Sequence, residues 1–293
     1  MKSTELPIVF ECEGSELVGI VHRPEQVAAR GLLLVVAGGP QYRAGVNRLQ
    51  VELARDLAAM GIPMMRFDHR GLGDSEGRFG GFEDVGADIG AAIAAFRAQV
   101  PGLNEVVLWG GCDAASAIMI NAWQYPEVTG IALGNPWVHT DETADKVAVD
   151  HFSRRILDRD FWSKVLRGQY DPRPALGTLA RSARSRCAAL IGARPRAAAT
   201  TPHFIDRMCQ GLTRYRGDLL LVMSGRSQVS REFDELVASA PPWQRALTSP
   251  RRVDRHDLPD ADQTFSASES RGLLREILGG WLLGAKPGPG EPR

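Results

Sequence analysis

The chain has 293 residues, long enough for one large core with an inserted element, and its 35 basic and 35 acidic side chains leave no formal net charge. No whole-molecule field draws it to nucleic acid or an anionic membrane, so a small, weakly charged substrate is the expected partner, and homo-oligomerisation is left open. Cys12, Cys112, Cys187 and Cys209 lie far apart without CxxC spacing, which argues against a zinc site or a disulfide framework, and no motif requires a cofactor.

The first residues alternate polar and apolar, with no basic segment followed by an apolar one as in a secretion signal, and no apolar run approaches the ~20 residues of a membrane span. A cytoplasmic location is the expectation. Strand-like runs at 17–22, 32–37, 63–67, 106–109, 128–133, 219–224 and 252–258 alternate with helix-like runs at 51–60, 82–100, 114–124, 230–238 and 268–283. This alternation predicts an α/β fold, a doubly wound and mostly parallel sheet with helices on both faces. It breaks between about 140 and 216, where "KVAVDHFSRRILDRDFWSKVLRGQYD" has amphipathic spacing rich in arginine and aromatics. The expected organisation is a core of residues 1–139 and 217–285, a helical cap insertion over 140–216, and a disordered tail over 286–293.

The most informative stretch is "VVLWGGCDAASAIMI", 106–120, a strand, a tight turn and a helix. A nucleophile at such a turn sits in a strained backbone conformation, so the residues two places away must be small for strand and helix to approach; Gly110 and Ala114 meet that need around Cys112. The helix N-terminus is expected to lower the thiol pKa. The alternative is a buried cysteine acting as a small hydrophobe. In "LLLVVAGGPQYRAG" the glycine-rich turn makes Gly39 a candidate backbone donor to an oxyanion, with the N–H of Asp113 as the second. The loop "MRFDHRGLGDSEG" is expected to be structural, with Asp68 and Arg70 fixing it through charge-assisted hydrogen bonds.

These segments, with "NPWV", "FWSKVLRGQYD", "SGRSQVSREF" and "DLPDADQTFS", resemble in order and over nearly the whole chain the exosortase A system-associated hydrolase 1 family of α/β-hydrolases. The resemblance implies the α/β-hydrolase fold, a cysteine in the elbow and a presumed hydrolase of unassigned substrate. It also implies a carboxylate and a histidine where this chain has Ser227 and Gln263, and a polar residue with histidine where it has Val46-Asn47. Glutamine cannot carry a proton as imidazole does, and serine cannot hold an imidazolium by charge. His139, after "GNPWV" at a strand's C-terminal end, is the better substitute base; His256, inside the last strand, is the poorer one. Asp113 is a further proton acceptor to consider. The expected pocket is lined by Gly39, Gln41, Cys112, Asp113, His139 and Gln263, with Ser227 also near substrate. The expected function is an enzyme acting on an acyl or carbonyl small molecule through Cys112, poor as an ordinary esterase, the reaction being acyl transfer, cyclisation, a lyase reaction or slow thiol-dependent hydrolysis. The reading from a different class is a non-catalytic descendant that binds a ligand or partner.

Overall fold

The computed structural model describes residues 2–36, 41–139 and 203–284. An eight-stranded sheet runs in the order β1-β2-β4-β3-β5-β6-β7-β8. The strands are β1 Ser3–Cys12, β2 Ser15–Pro24, β3 Arg30–Leu34, β4 Met64–Phe67, β5 Glu105–Gly111, β6 Val128–Gly134, β7 Asp218–Ser224 and β8 Arg252–Leu258. Strand β2 is antiparallel to both β1 and β4, whereas β4, β3, β5, β6, β7 and β8 pair in parallel. The helices are α1 Leu49–Ala59, α2 Gly86–Gln99, α3 Asp113–Asn121, α4 Phe204–Arg214, α5 Gln228–Ser239, α6 Pro241–Ala246 and α7 Ser268–Leu282.

The period of two in the strands sorts the core into halves. Leu33, Met65, Leu108 and Leu221 face the half that α2, α3, α4 and α5 cover with Phe96, Ile118, Leu212 and Phe233. Leu32, Met64, Val107 and Leu220 face the other half, which α1 and α7 close with Leu57 and Leu278. Both faces being covered, these strands are continuous apolar runs, and each fully buried leucine is worth ~1.5–3 kcal/mol.

Periodicity left the first strand unassigned, as it did the short helix α6. Strands β1 and β2 form a hairpin closed by Glu13 and Gly14, whose φ values are 48° and 79°. A two-residue hairpin turn requires left-handed residues, and Glu-Gly is a weaker signal for it than Asn-Gly or Asp-Gly. The carboxylate of Asp88 joins the hairpin to the body: it accepts from the Cys12 thiol at 3.4 Å, the Arg70 backbone N–H at 3.1 Å and Arg70 Nε at 2.5 Å. Buried His69 lies 3.3 Å from the same group. Asp68 binds Arg43 and the backbone N–H of Asp74, and Gly73, at φ 55°, has no room for a Cβ beside that carboxylate. The loop after β4 is thus held by its charged residues, as expected of a structural loop.

Most of the expected cap, the part over residues 140–202, lies outside the described residues, as does the expected tail. The end of the expected insertion is helix α4, whose Met208 and Leu212 are buried in the core. Arg207 of α4 pairs with Glu83 at 2.9 Å, and the rings of Phe204 and Phe82 meet edge to face at 5.4 Å. The core therefore resumes ahead of residue 217. No helix among the described residues is long and apolar enough to cross a membrane.

His22, fully buried on β2, accepts from Arg66 Nε at 3.0 Å, and burial together with the Arg66 charge pushes its pKa down to about 4. Its folded value lies below the ordinary one of 6.5, so its contribution to stability is complete above pH 6.5 and is lost as pH falls toward 4. Urea unfolding at pH 7 and 4.5 should show that the wild type loses about 2–3 kcal/mol more than His22→Gln, which keeps an acceptor but does not titrate.

Candidate active site at the C-terminal edge of the sheet

Cys112 lies between β5 and α3 with φ 58° and ψ −126°, a left-handed conformation that costs a non-glycine residue about 1–3 kcal/mol. Hydrogen bonds hold it there. Its N–H donates to Gly134 O at 2.8 Å, and its carbonyl accepts from the N–H of Ala115 at 3.1 Å and of Trp137 at 3.2 Å. Ser116 Oγ donates to Trp137 O at 2.6 Å, tying the start of α3 to the chain leaving β6. A Cβ at Gly110 would stand 2.9 Å from atoms of Ala114, so the small residues flanking the turn are required by the approach of strand to helix.

The sulfur opens on a cavity of about 190 Å³ whose walls include Gln41, Val46, Leu49, Gln50, Trp109, Asp113, Gln263 and Phe265. Gln263 Nε2 donates to Cys112 Sγ at 3.3 Å. This glutamine is fixed from both sides. Its carbonyl accepts from Asn135 Nδ2 at 3.0 Å, and the neighbouring Asp262 carboxylate accepts from the N–H groups of Thr264 at 2.9 Å and Ser266 at 3.0 Å. The bonds from Ser266 hold the Asp262 carboxyl below its usual range.

Asn135 is a positioning residue that the sequence reading missed. It is fully buried at φ 48°, and besides Gln263 it binds Ser224 Oγ at 2.9 Å, the Ser224 N–H at 2.8 Å and Ser230 Oγ at 2.6 Å. One amide therefore ties the ends of β6 and β7 and helix α5 to the loop that carries Gln263. An asparagine before a proline at a strand end was its only signal in the sequence.

Cys112 was expected to be acidified by the start of α3. Instead its pKa is pushed up to about 11, first by burial and then by the Asp113 charge, against the smaller pull of the Asp113 backbone N–H and the Gln263 amide. Loss of solvation and an adjacent anion outweigh a short helix, so the thiol is largely neutral at pH 7.

The cavity brings together Gln41, Cys112, Asp113 and Gln263; Gly39 lies outside the described residues. Two other expected site residues are placed elsewhere. Ser227 is 2% exposed and caps α5, its Oγ accepting from the Ser230 N–H at 3.3 Å, so a ligand in the cavity does not reach it. His139 is absent from the cavity lining and pairs through Nδ1 with Glu232 of α5 at 2.9 and 3.0 Å. Glu232 was not foreseen, because an acidic residue in an amphipathic helix normally faces water. His256 lies in β8 opposite Val222, also away from the lining. Of Val46-Asn47, Val46 lines the cavity, and Asn47 adopts φ 51° beside it.

The sheet order, the antiparallel β1–β2 start and the strained turn after β5 define an α/β-hydrolase. Within that class, the serine aminopeptidase S33 family model matches residues 28–226, and the chain belongs to this family. No curated protein matches it significantly in sequence. An esterase from Pyrococcus furiosus is similar in structure, with a TM-score of 0.63 at 14% identity over 96% of this chain and 91% of the esterase. The protein DcsB, in complex with its substrate analogue, gives 0.62 at 13% identity over 97% and 100% of the two chains. A dienelactone hydrolase from Anabaena variabilis gives 0.57 at 12% over 97% and 99%. At these identities the likeness is one of fold.

The raised thiol pKa has a direct readout. Labelling of Cys112 by iodoacetamide, mapped by mass spectrometry, should accelerate about tenfold per pH unit between pH 7 and 10. A rate already level at pH 7 would mean an acidic thiol and a wrong account of its surroundings.

Proposed function

We propose that the protein is an enzyme that transfers or releases an acyl group of a small molecule through Cys112, and that it is a poor ordinary esterase. The observation carrying this reading is the Gln263 amide at 3.3 Å from the sulfur, in the loop after the last strand where the resemblance implies a histidine. The amide orients the thiol and donates to it but takes no proton. Ser227 likewise offers no carboxylate. Hydrolysis of an unactivated ester, which needs a base to activate both thiol and water, is disfavoured. Exchange with an activated acyl compound such as a thioester is the better match: the acyl–sulfur bond to Cys112 forms, the bond to the leaving thiol breaks, and the thiol proton balances the departing group. The Asp113 N–H, and in this proposal that of Gly39, face the oxyanion, and Gln41 and Gln263 flank the substrate.

A second reading, a ligand-binding protein that keeps the elbow for packing alone, is favoured by the neutral state of the thiol. Intact-mass measurement separates the two. An acetyl adduct on Cys112 after incubation with p-nitrophenyl acetate supports the enzyme, and its absence, together with saturable binding, supports the other. Turnover of that ester should be weak in the wild type and rise ~10²–10⁴-fold when Gln263→His and Ser227→Asp are combined, with little gain from either alone. Adding Cys112→Ala should remove the gain.

A further inference from the structure

We propose that the protein has a second ligand site, separate from the Cys112 cavity, that takes a small phosphate monoester at the opposite edge of the sheet. A cavity of about 290 Å³ opens there, where β6, β7 and β8 begin. Val128 starts β6, Gly217 precedes β7 and Arg251 precedes β8, and all three line it. The elbow stands at the other end of β6, whose 7 residues span roughly 20 Å. Among the described residues the lining of the second cavity holds three arginines, Arg214, Arg216 and Arg251, and no carboxylate.

Charge and hydrogen bonding define the ligand. The carboxylates near this edge are already matched: Asp218 with Arg251 at 2.9 Å, Glu105 with Arg30 at 2.7 Å and Glu127 with Arg97 at 3.0 Å. Arg214 and Arg216 have no carboxylate partner among the described residues, and two unmatched cations suit a dianion such as a phosphate monoester. The Arg214 guanidinium stacks at 4.6 Å over the Trp123 ring, which its own bond from Nε1 to Ile120 O at 2.9 Å holds in place. Arg216 Nη1 donates to the carbonyls of Thr213 at 2.7 Å and Tyr215 at 2.9 Å, which leaves Nε and Nη2 for a ligand. The hydroxyls of the lining are committed: Tyr125 donates to Gly86 O at 2.5 Å, Thr129 to Glu105 at 2.9 Å and Tyr215 to Val128 O at 3.5 Å. The groups left to meet a ligand are therefore guanidinium donors, whose forked geometry fits phosphate oxygens. A phosphate group fills only part of the cavity, since a single water takes ~30 Å³. The rest, walled by Trp123 and Pro126, accommodates an organic part.

The test is calorimetric titration of the full chain with phenyl phosphate, inorganic phosphate and phthalate, a dianion built from two carboxylates. Phenyl phosphate should saturate a single site per chain and bind about tenfold more tightly than either of the others. Arg214→Gln and Arg216→Gln should each weaken it by about tenfold or more. Both side chains are exposed, so neither change disturbs the core. Trp123→Leu, which releases Arg214 from its ring, should weaken binding about threefold. Arg226→Gln removes an exposed arginine that pairs with Asp260 beyond the C-terminal ends of β7 and β8, and should leave binding unchanged. Absence of saturable binding, equal binding of phosphate or phthalate, or binding that survives both Arg214→Gln and Arg216→Gln overturns the proposal. So does a loss in Arg226→Gln as large as theirs, which would reduce the effect to net charge. None of these outcomes bears on the acyl-transfer reading, which concerns the other edge of the sheet.

Discussion

The strained backbone at Cys112 is the constraint around which the rest of the site is organised. A residue at φ 58° needs compensating bonds, and they come from Gly134 on β6, Trp137 beyond it and the first turn of α3. The same bonds fix β5, β6 and α3 relative to one another at the edge where the cavity opens. Gly110 is part of this arrangement because a side chain there would separate strand from helix. The elbow is thus maintained by packing whatever the sulfur does, and chemistry must be argued from the groups around it.

Those groups form two tiers. Nearest the sulfur, Gln263 and Asp113 share the cavity, one donating a hydrogen bond and the other raising the thiol pKa by its charge. Around them lie further polar contacts: buried Asn135 with Ser224 and Ser230, buried Glu232 with the exposed Gln228, and half-buried Asp262 with the backbone N–H groups of Thr264 and Ser266. A fully satisfied buried network fixes geometry more sharply than apolar packing, because each lost bond leaves an unpaired group in a medium of low dielectric. The loop bearing Gln263 is held in this way even though glutamine cannot perform the proton transfer that usually requires such rigidity.

Much of the fold was legible because strands covered on both faces are uninterrupted apolar runs and the helices keep their spacing. Strand β1 was missed because its alternation is that of a half-exposed edge and its turn lacks the strongest residue signal. The elbow and Gln263 could be located from small-residue spacing and the order of segments. The acidity of Cys112 could not, because it depends on how deeply the sulfur is buried and on the Asp113 charge. Ser227 was misplaced for a related reason: a serine that caps a helix and one that faces a pocket have the same sequence signature. Asn135 and Glu232 act through contacts across about ninety or more residues of chain, which local pattern does not reveal.

The bond from Cys12 to Asp88 has a consequence for how the molecule opens. Cys12 is 5% exposed, and burial with the adjacent Asp88 carboxylate pushes its pKa up to about 11, so in the closed state a reagent finds neither access nor thiolate. The hairpin that carries it is an edge element tied to the body at this carboxylate. Reaction at Cys12 therefore requires this bond to open, whether by local departure of the hairpin end or by unfolding of the whole chain. The chain carries its own clock for the opening of this bond.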